Sequence, residues 1–299
     1  MKTTALALPL GAEWSEHASL GAVLTLRVGG AVAEVALHGA TVLSYRPAGA
    51  ERDLLWVSSK AAASEGKAIR GGVPLCGPWF GPHATVAGAP MHGLMRTRAW
   101  ALTRVEAVTV GAGFGLRAEF ALALPAEKEK GWTHTAQATF AVTLGATLAV
   151  ELTVRNTGDT PFLLSGALHT YFAVSDVRGV WVDGLSERDY VDYTAGGVRR
   201  RSGLGPVRLT TEAANFYLGG GEVRLVDEAW GRVITVRGSG AGATVVWNPW
   251  DKTAATMGDV GEEWPRFICV ENANIPQVAV ALAPAMSHHL GAEFALEAV

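Results

Sequence analysis

The sequence predicts an all-β fold, a large antiparallel β-sandwich of two packed sheets, and three observations carry that prediction. Two-residue hydrophobic alternation recurs along the chain, helical periodicity is scarce, and the 36 glycines fall mainly between the alternating runs. Alternation gives a strand one apolar face to bury and one polar face to leave in water. Glycine-rich turns between such runs punctuate an antiparallel sheet protein, not a series of βαβ units.

Taken in chain order, the first strands are read in "AVLTLRV" and "VAEVALHGATVLSY". The clearest is "LGATLAVELTVRNTGDTP", where Leu144, Leu148, Val150, Leu152 and Val154 share one parity and Thr147, Glu151, Thr153 and Arg155 the other. It ends in an Asn/Gly/Asp turn. Further strands follow in "GVWVDGL", "EVRLVD", "GRVITVRG", "ATVVWNPW", "RFICVEN", "QVAVALAP" and "HLGAEFALEAV", with "YLGGGEV" and "RGSGAGAT" supplying turns. No repeat of fixed period and no linker-like stretch interrupts them, so a single domain over residues 1–299 is expected.

Composition narrows the function. A chain of 299 residues with 49% hydrophobic content can bury a large core. Its net charge of -3, from 25 basic and 28 acidic residues, leaves no electrostatic footprint for nucleic acid or an anionic membrane. Cys76 and Cys269 sit in apolar contexts ("VPLCGPW", "RFICVEN") that suit small buried side chains and reduced thiols. The stretch "MKTTALALPLGAEW" has one lysine and a short apolar run ending at Pro9 and Leu10, too short for a signal-peptide core. No segment approaches the roughly 18 uninterrupted apolar residues of a membrane span. A cytoplasmic monomer acting on a small molecule is the expectation.

Four stretches hold candidate chemistry. In "FLLSGALHTYFAV", Leu164, Leu168, Phe172 and Val174 form a core stripe, while Ser165, His169 and Tyr171 fall on the opposite face beside the small Gly166 and Ala167. His169 is then either a solvent-facing strand histidine or a proton donor in a groove, since imidazole titrates near neutral pH. In "RFICVENANIP", Phe267, Cys269 and Glu271 share a parity, and Ile268 and Val270 make the other face apolar too. Glu271 is a rim carboxylate at the first turn or a buried base whose pKa burial raises. "APMHGLMRTRAW" places His92 and Arg96 on a loop, a pairing that suits hydroxyls and an anion better than a metal. Trp247 and Trp250 in "VVWNPWDK" are core aromatics or faces for a pyranose ring, with Asn248 a possible hydroxyl partner. Neither metal-ligand spacing nor a nucleotide-binding glycine pattern is present, so no metal and no cofactor are expected.

Read in order, "IRGGVPLCGPWFG", "MHGLMRTRAW", "ALHTYFAVSDV", "VVWNPWDK…MGD" and "FICVENAN" resemble the hexose-6-phosphate mutarotases, a branch of the aldose 1-epimerase family. The resemblance runs from Ile69 to Ala273. It implies a β-sandwich of the galactose-mutarotase (supersandwich) type, with a sugar or sugar phosphate bound in a groove on one sheet. It also implies His169 as general acid, Glu271 as general base, Arg70 and Arg96 as phosphate contacts, and His92 as a second active-site histidine. Gly71 and Gly72 would let the backbone approach the anion. The implied activity is exchange of α and β anomers by ring opening; the alternative is a carbohydrate-binding or sensing protein on the same fold. Met91 stands where the family usually has glutamine, and Ala214 and Asn215 where it commonly has a charged pair. Asp183, Asp189 and Asp192 are the candidates to substitute for them from a neighbouring loop.

Overall fold

The computed structural model describes residues 6–298. Met1–Ala5 and Val299 lie outside the described residues, and with them part of the amino-terminal stretch read for a signal peptide. Two eight-stranded sheets dominate, and every pairing between named strands is antiparallel among the described residues. The first, which carries the site, runs in the order Val198–Arg201, Asp189–Asp192, Ala213–Leu218, Ala243–Asn248, Phe267–Asn274, Gly166–Leu168 and Leu75–Cys76, with Tyr171–Ala173 also paired to Phe267–Asn274. The second runs Trp181–Asp183, Glu222–Asp227, Arg232–Ser239, Ser287–Ala298, Leu148–Asn156, Ala136–Leu144, Gly113–Leu124 and Ala101–Val110. A four-stranded sheet, Ala12–His17 through Val42–Arg46, packs on the second. No described helix is long and apolar enough to cross a membrane.

Alternation explains the layering. On the strand Phe267–Asn274, Ile268 and Val270 join Leu168, Phe172 and Val246 in the core shared with Leu152, Val154, Leu290 and Phe294 of the second sheet. Phe172 meets Phe294 edge-on at 5.4 Å. The other parity, Phe267, Cys269, Glu271 and Ala273, faces away from that core. Burying one stripe between the sheets therefore commits the neighbouring parity to the outer face where the site forms.

The strands Ala101–Val110, Gly113–Leu124 and Ala136–Leu144 were not among those expected, although Leu116, Ala118, Phe120, Leu122 and Leu124 do alternate into the core. Alanines at Ala121 and Ala123 on the opposite face blur the pattern, because a methyl group suits both environments. Cys76 and Cys269 are free and buried, as expected.

Gly71 and Gly72 approach the protein's own backbone, which corrects their reading as an opening for the anion. A Cβ on Gly71 would lie 2.4 Å from the Trp56 carbonyl oxygen, and one on Gly72, at φ +67°, 2.0 Å from that of Val42. Only glycine fits against the backbone of Trp56 and Val42 at this conformation. Gly72→Ala is expected to destabilise the fold by at least about 2 kcal/mol, combining left-handed strain with a backbone clash. A thermal melt matching the parent protein would disprove this.

Candidate active site

The catalytic candidates meet through register. Leu168 pairs with Asn272 and Tyr171 with Cys269, so the continuing antiparallel register sets His169 opposite Glu271. Their side chains touch, with His169 Nε2 3.4 Å from Glu271 Oε1. On the far side of Glu271 stands Val245, and Trp247 occupies the same position relative to Cys269.

His169 does not sit in one continuous strand as expected. The segment breaks into Phe162–Leu164, Gly166–Leu168 and Tyr171–Ala173. At the last break the Thr170 amide turns back to the Leu168 carbonyl at 3.0 Å, while the His169 amide donates to Pro74 at 3.0 Å. The imidazole is buried, not solvent-facing, at 6% exposure. Glu271 is likewise no rim residue, because its strand runs on to Asn274 and leaves it 1% exposed.

Burial sets the charge of both groups. It pushes the Glu271 carboxyl well above its ordinary range, against the nearby positive charge of Arg96. It holds His169 well below its ordinary value, helped by His92, Arg96 and Arg70. Both shifts favour the uncharged forms, a carboxylic acid beside a neutral imidazole. Glu271 Oε2 and His169 Nδ1 have no hydrogen-bond partner among the described residues. Buried polar atoms left in this state are the kind that a bound ligand satisfies.

Above the pair opens a cleft of about 460 Å³, in the range of small-molecule sites. Phe80, Phe216, Val245 and Trp247 give it apolar walls, and Arg70, His92 and Arg96 line it as well. The structure therefore brings His169, Glu271, Arg70, His92, Arg96 and Trp247 to one cavity. Trp247 is half-buried with its ring edge-on to His169 at 5.9 Å, and the small Ala214 lies beside it across the sheet. His92 accepts from the Gly81 amide at Nδ1, and burial, with Arg96 and Arg70, lowers its pKa to about 3. It is a neutral imidazole here, with its proton on Nε2, and no imidazolium acid at physiological pH.

The two arginines differ. Arg70 donates from Nε to Asp259 Oδ2 at 2.9 Å and from Nη1 to the Tyr171 hydroxyl at 2.9 Å. Burial works against its charge, and those two partners outweigh it. Arg96 has no carboxylate partner among the described residues; its Nη2 donates to the Met91 carbonyl at 2.9 Å and its buried Nε has no acceptor. Arg96 is the cation with more unspent capacity for an anion.

Other expectations need correction. Asn248 is wholly buried and structural, its Nδ2 donating to the Trp264 and Phe267 carbonyls and its Oδ1 accepting from the Trp250 amide. Trp250 packs against Trp264 at the start of the short helix Trp250–Thr256, away from the cleft. Asp189 and Asp192 are bound to Arg201 and Arg200, and neither they nor Asp183 line the cleft, so none replaces the missing sugar-reading groups. Asp259, Met257 and Phe216 were not singled out. Phe216 shares parity with Ala214 in "AANFYL", a signal that could have found it; Met257 and Asp259 belong to "MGD", a stretch without periodicity. His169, Cys269 and Glu271 offer donor atoms within 4.8 Å of one another. The adjacent arginines, however, make this a field that favours anions over metal cations.

Known proteins share the fold and part of the sequence. The family model described as Aldose 1-epimerase matches residues 22–293. A relative from Cenchrus ciliaris named "Putative glucose-6-phosphate 1-epimerase" is 35% identical over 251 residues, covering 81% of this chain and 75% of its own. One of the same name from Escherichia coli is 34% identical over 243 residues, covering 81% and 79%. The crystal structure of a "putative mutarotase" from Salmonella typhimurium superposes with a TM-score of 0.86 at 26% identity, over 98% of this chain and 97% of that one. A galactose 1-epimerase from Lactobacillus acidophilus, at 13% identity, shares the fold with a TM-score of 0.74 over 98% and 99% of the two chains. The sandwich is thus of the galactose-mutarotase type, and with the family model spanning most of its length the chain belongs to the aldose 1-epimerase family.

Proposed function

We propose that this protein interconverts the α and β anomers of a phosphorylated hexose, with Glu271 and His169 moving the protons. The observation that carries the reading is the cross-strand pair, 3.4 Å apart and buried at the base of a cleft that two arginines line. Glu271 takes the proton of the anomeric hydroxyl while His169 protonates the ring oxygen. The C1–O5 bond breaks, the free aldehyde rotates about C1–C2, and closure on the other carbonyl face reverses both transfers.

The resting charges fit this cycle. Ring opening requires the carboxylate and the imidazolium, which are one proton transfer away from the neutral pair that burial favours. Arg96 favours the carboxylate, and entering sugar hydroxyls replace the solvation that Glu271 lacks. Opening returns the pair to its neutral form, the state that burial already prefers. Trp247 and Phe216 offer apolar surface to the C–H face of the sugar.

NMR exchange between the anomers of glucose 6-phosphate, galactose 6-phosphate, glucose and galactose tests the reading. Faster exchange of the phosphorylated sugars with catalytic protein is expected, and no acceleration of any sugar overturns it. Arg96→Ala should lower kcat/KM for a phosphorylated hexose by roughly 10- to 100-fold, as lost charge-assisted hydrogen bonds do. The plain sugar should lose far less, and equal losses would remove the phosphate from Arg96. Because Asp259 already engages Arg70, Arg70→Ala should cost less than Arg96→Ala on the same substrate.

A further inference from the structure

Tyr171 stands between Arg70 and His169, and the scheme above gives it no role. Its hydroxyl oxygen accepts from Arg70 Nη1 at 2.9 Å, while Asp259 holds Arg70 Nε at 2.9 Å. Arg70 Nη2 makes no hydrogen bond among the described residues. A phenol that accepts from arginine still has its own proton to donate, and no acceptor for that proton occurs among the described residues. Burial raises the pKa of this phenol, which keeps the donor intact.

The other side of the molecule's site meets the ring of the same residue. The Tyr171 ring stacks on the His169 imidazole with centroids 4.9 Å apart and planes 11° from parallel. Trp247 and Phe267 close on it at 6.0 and 5.3 Å, and it is 1% exposed. Its amide donates to Gly72 and its carbonyl accepts from Trp56, both at 2.9 Å, so the ring has little freedom. A second cavity adjoins the cleft and shares Arg70, Met91 and Arg96 with it. Lys60, Lys67, Arg70, Arg96 and Tyr171 line this second space against the single carboxylate of Asp259, a balance that favours an anion there.

We propose that Tyr171 serves both ends of the substrate: its O–H joins Arg70 in holding the phosphate, and its ring fixes the plane of the His169 imidazole. The phosphate then sits where the two cavities meet, beside Arg70 and Arg96, with the pyranose over the Glu271–His169 pair. One rigid side chain thereby sets the distance between the anion and the reacting ring. This rests on the anomer-exchange reading, and it adds a specificity residue to it.

Tyr171→Phe keeps the ring stack and removes the hydroxyl. The ratio of kcat/KM for glucose 6-phosphate to that for glucose should fall roughly tenfold or more, the worth of a hydrogen bond to a charged group. Calorimetric affinity for glucose 6-phosphate should fall by a similar factor. Equal losses on both sugars, or an unchanged affinity, would overturn the anion role. Tyr171→Leu removes the ring as well and should lower kcat on both sugars below that of Tyr171→Phe, while equal kcat values in the two variants would overturn the positioning role. A parent protein that exchanges no sugar defeats the functional reading, and the calorimetric comparison still decides whether Tyr171 holds the anion.

Discussion

Glu271→Gln is expected to lower anomer exchange by about 10²- to 10⁴-fold and to leave the fold at least as stable as the parent at neutral pH. The amide matches the carboxyl in size and keeps an acceptor oxygen toward His169, but it cannot take a proton from the anomeric hydroxyl. The stability half follows from linkage. Because the folded pKa of Glu271 is raised above its ordinary value of 4.5, its contribution to stability is fully present below about pH 4.5. It is lost as pH rises toward the folded pKa, since the unfolded chain releases the proton and the folded one keeps it. Glutamine carries no such penalty, so the variant's gain in melting temperature should grow from pH 4.5 to pH 8. A gain of the same size at both ends of that range would mean that Glu271 is not held protonated, whatever the activity shows.

His169→Ala is expected to cost exchange a comparable 10²- to 10⁴-fold, and here pH acts in the opposite direction. The folded pKa of this group lies well below 6.5, so the unfolded chain binds a proton that the folded chain refuses as pH falls through that value. Stability from a neutral His169 is present above about pH 6.5 and is lost toward the acid side. The alanine variant, although it opens a cavity beside Tyr171, should therefore narrow its stability deficit between pH 7 and pH 5. Since the two groups exchange protons with one substrate, Glu271→Gln combined with His169→Ala should be little worse than the more damaged single variant. Multiplying losses in the double variant would show that the residues act independently and would break the paired mechanism.

Much of the site could be read before the fold was known, and the limits are physical. Parity along "FICVEN" already separated Ile268 and Val270 from Cys269 and Glu271, because a strand sends alternate side chains to opposite faces whatever it pairs with. Histidine, glutamate and arginine identities were likewise legible from motifs that depend on local spacing. Asn248 misled for the same reason: its place beside two tryptophans suggested a sugar contact, but its partners are backbone groups of Trp264 and Phe267 that no local pattern reveals.

By itself the sequence determined a strand-rich chain, the two faces of the strands that matter, the set of acid, base and arginine candidates, and the family they resemble. Only the tertiary structure decided that His169 falls opposite Glu271, that Arg70 is already engaged by Asp259 from 189 residues away, and that Arg96 has no carboxylate partner among the described residues. The reason is that alternation encodes the face on which a side chain lies, whereas register and ion pairing depend on which distant strand or loop arrives beside it. Protonation belongs to the second class as well, because the Glu271 carboxyl is pushed up and the His169 imidazole down by what surrounds them in space.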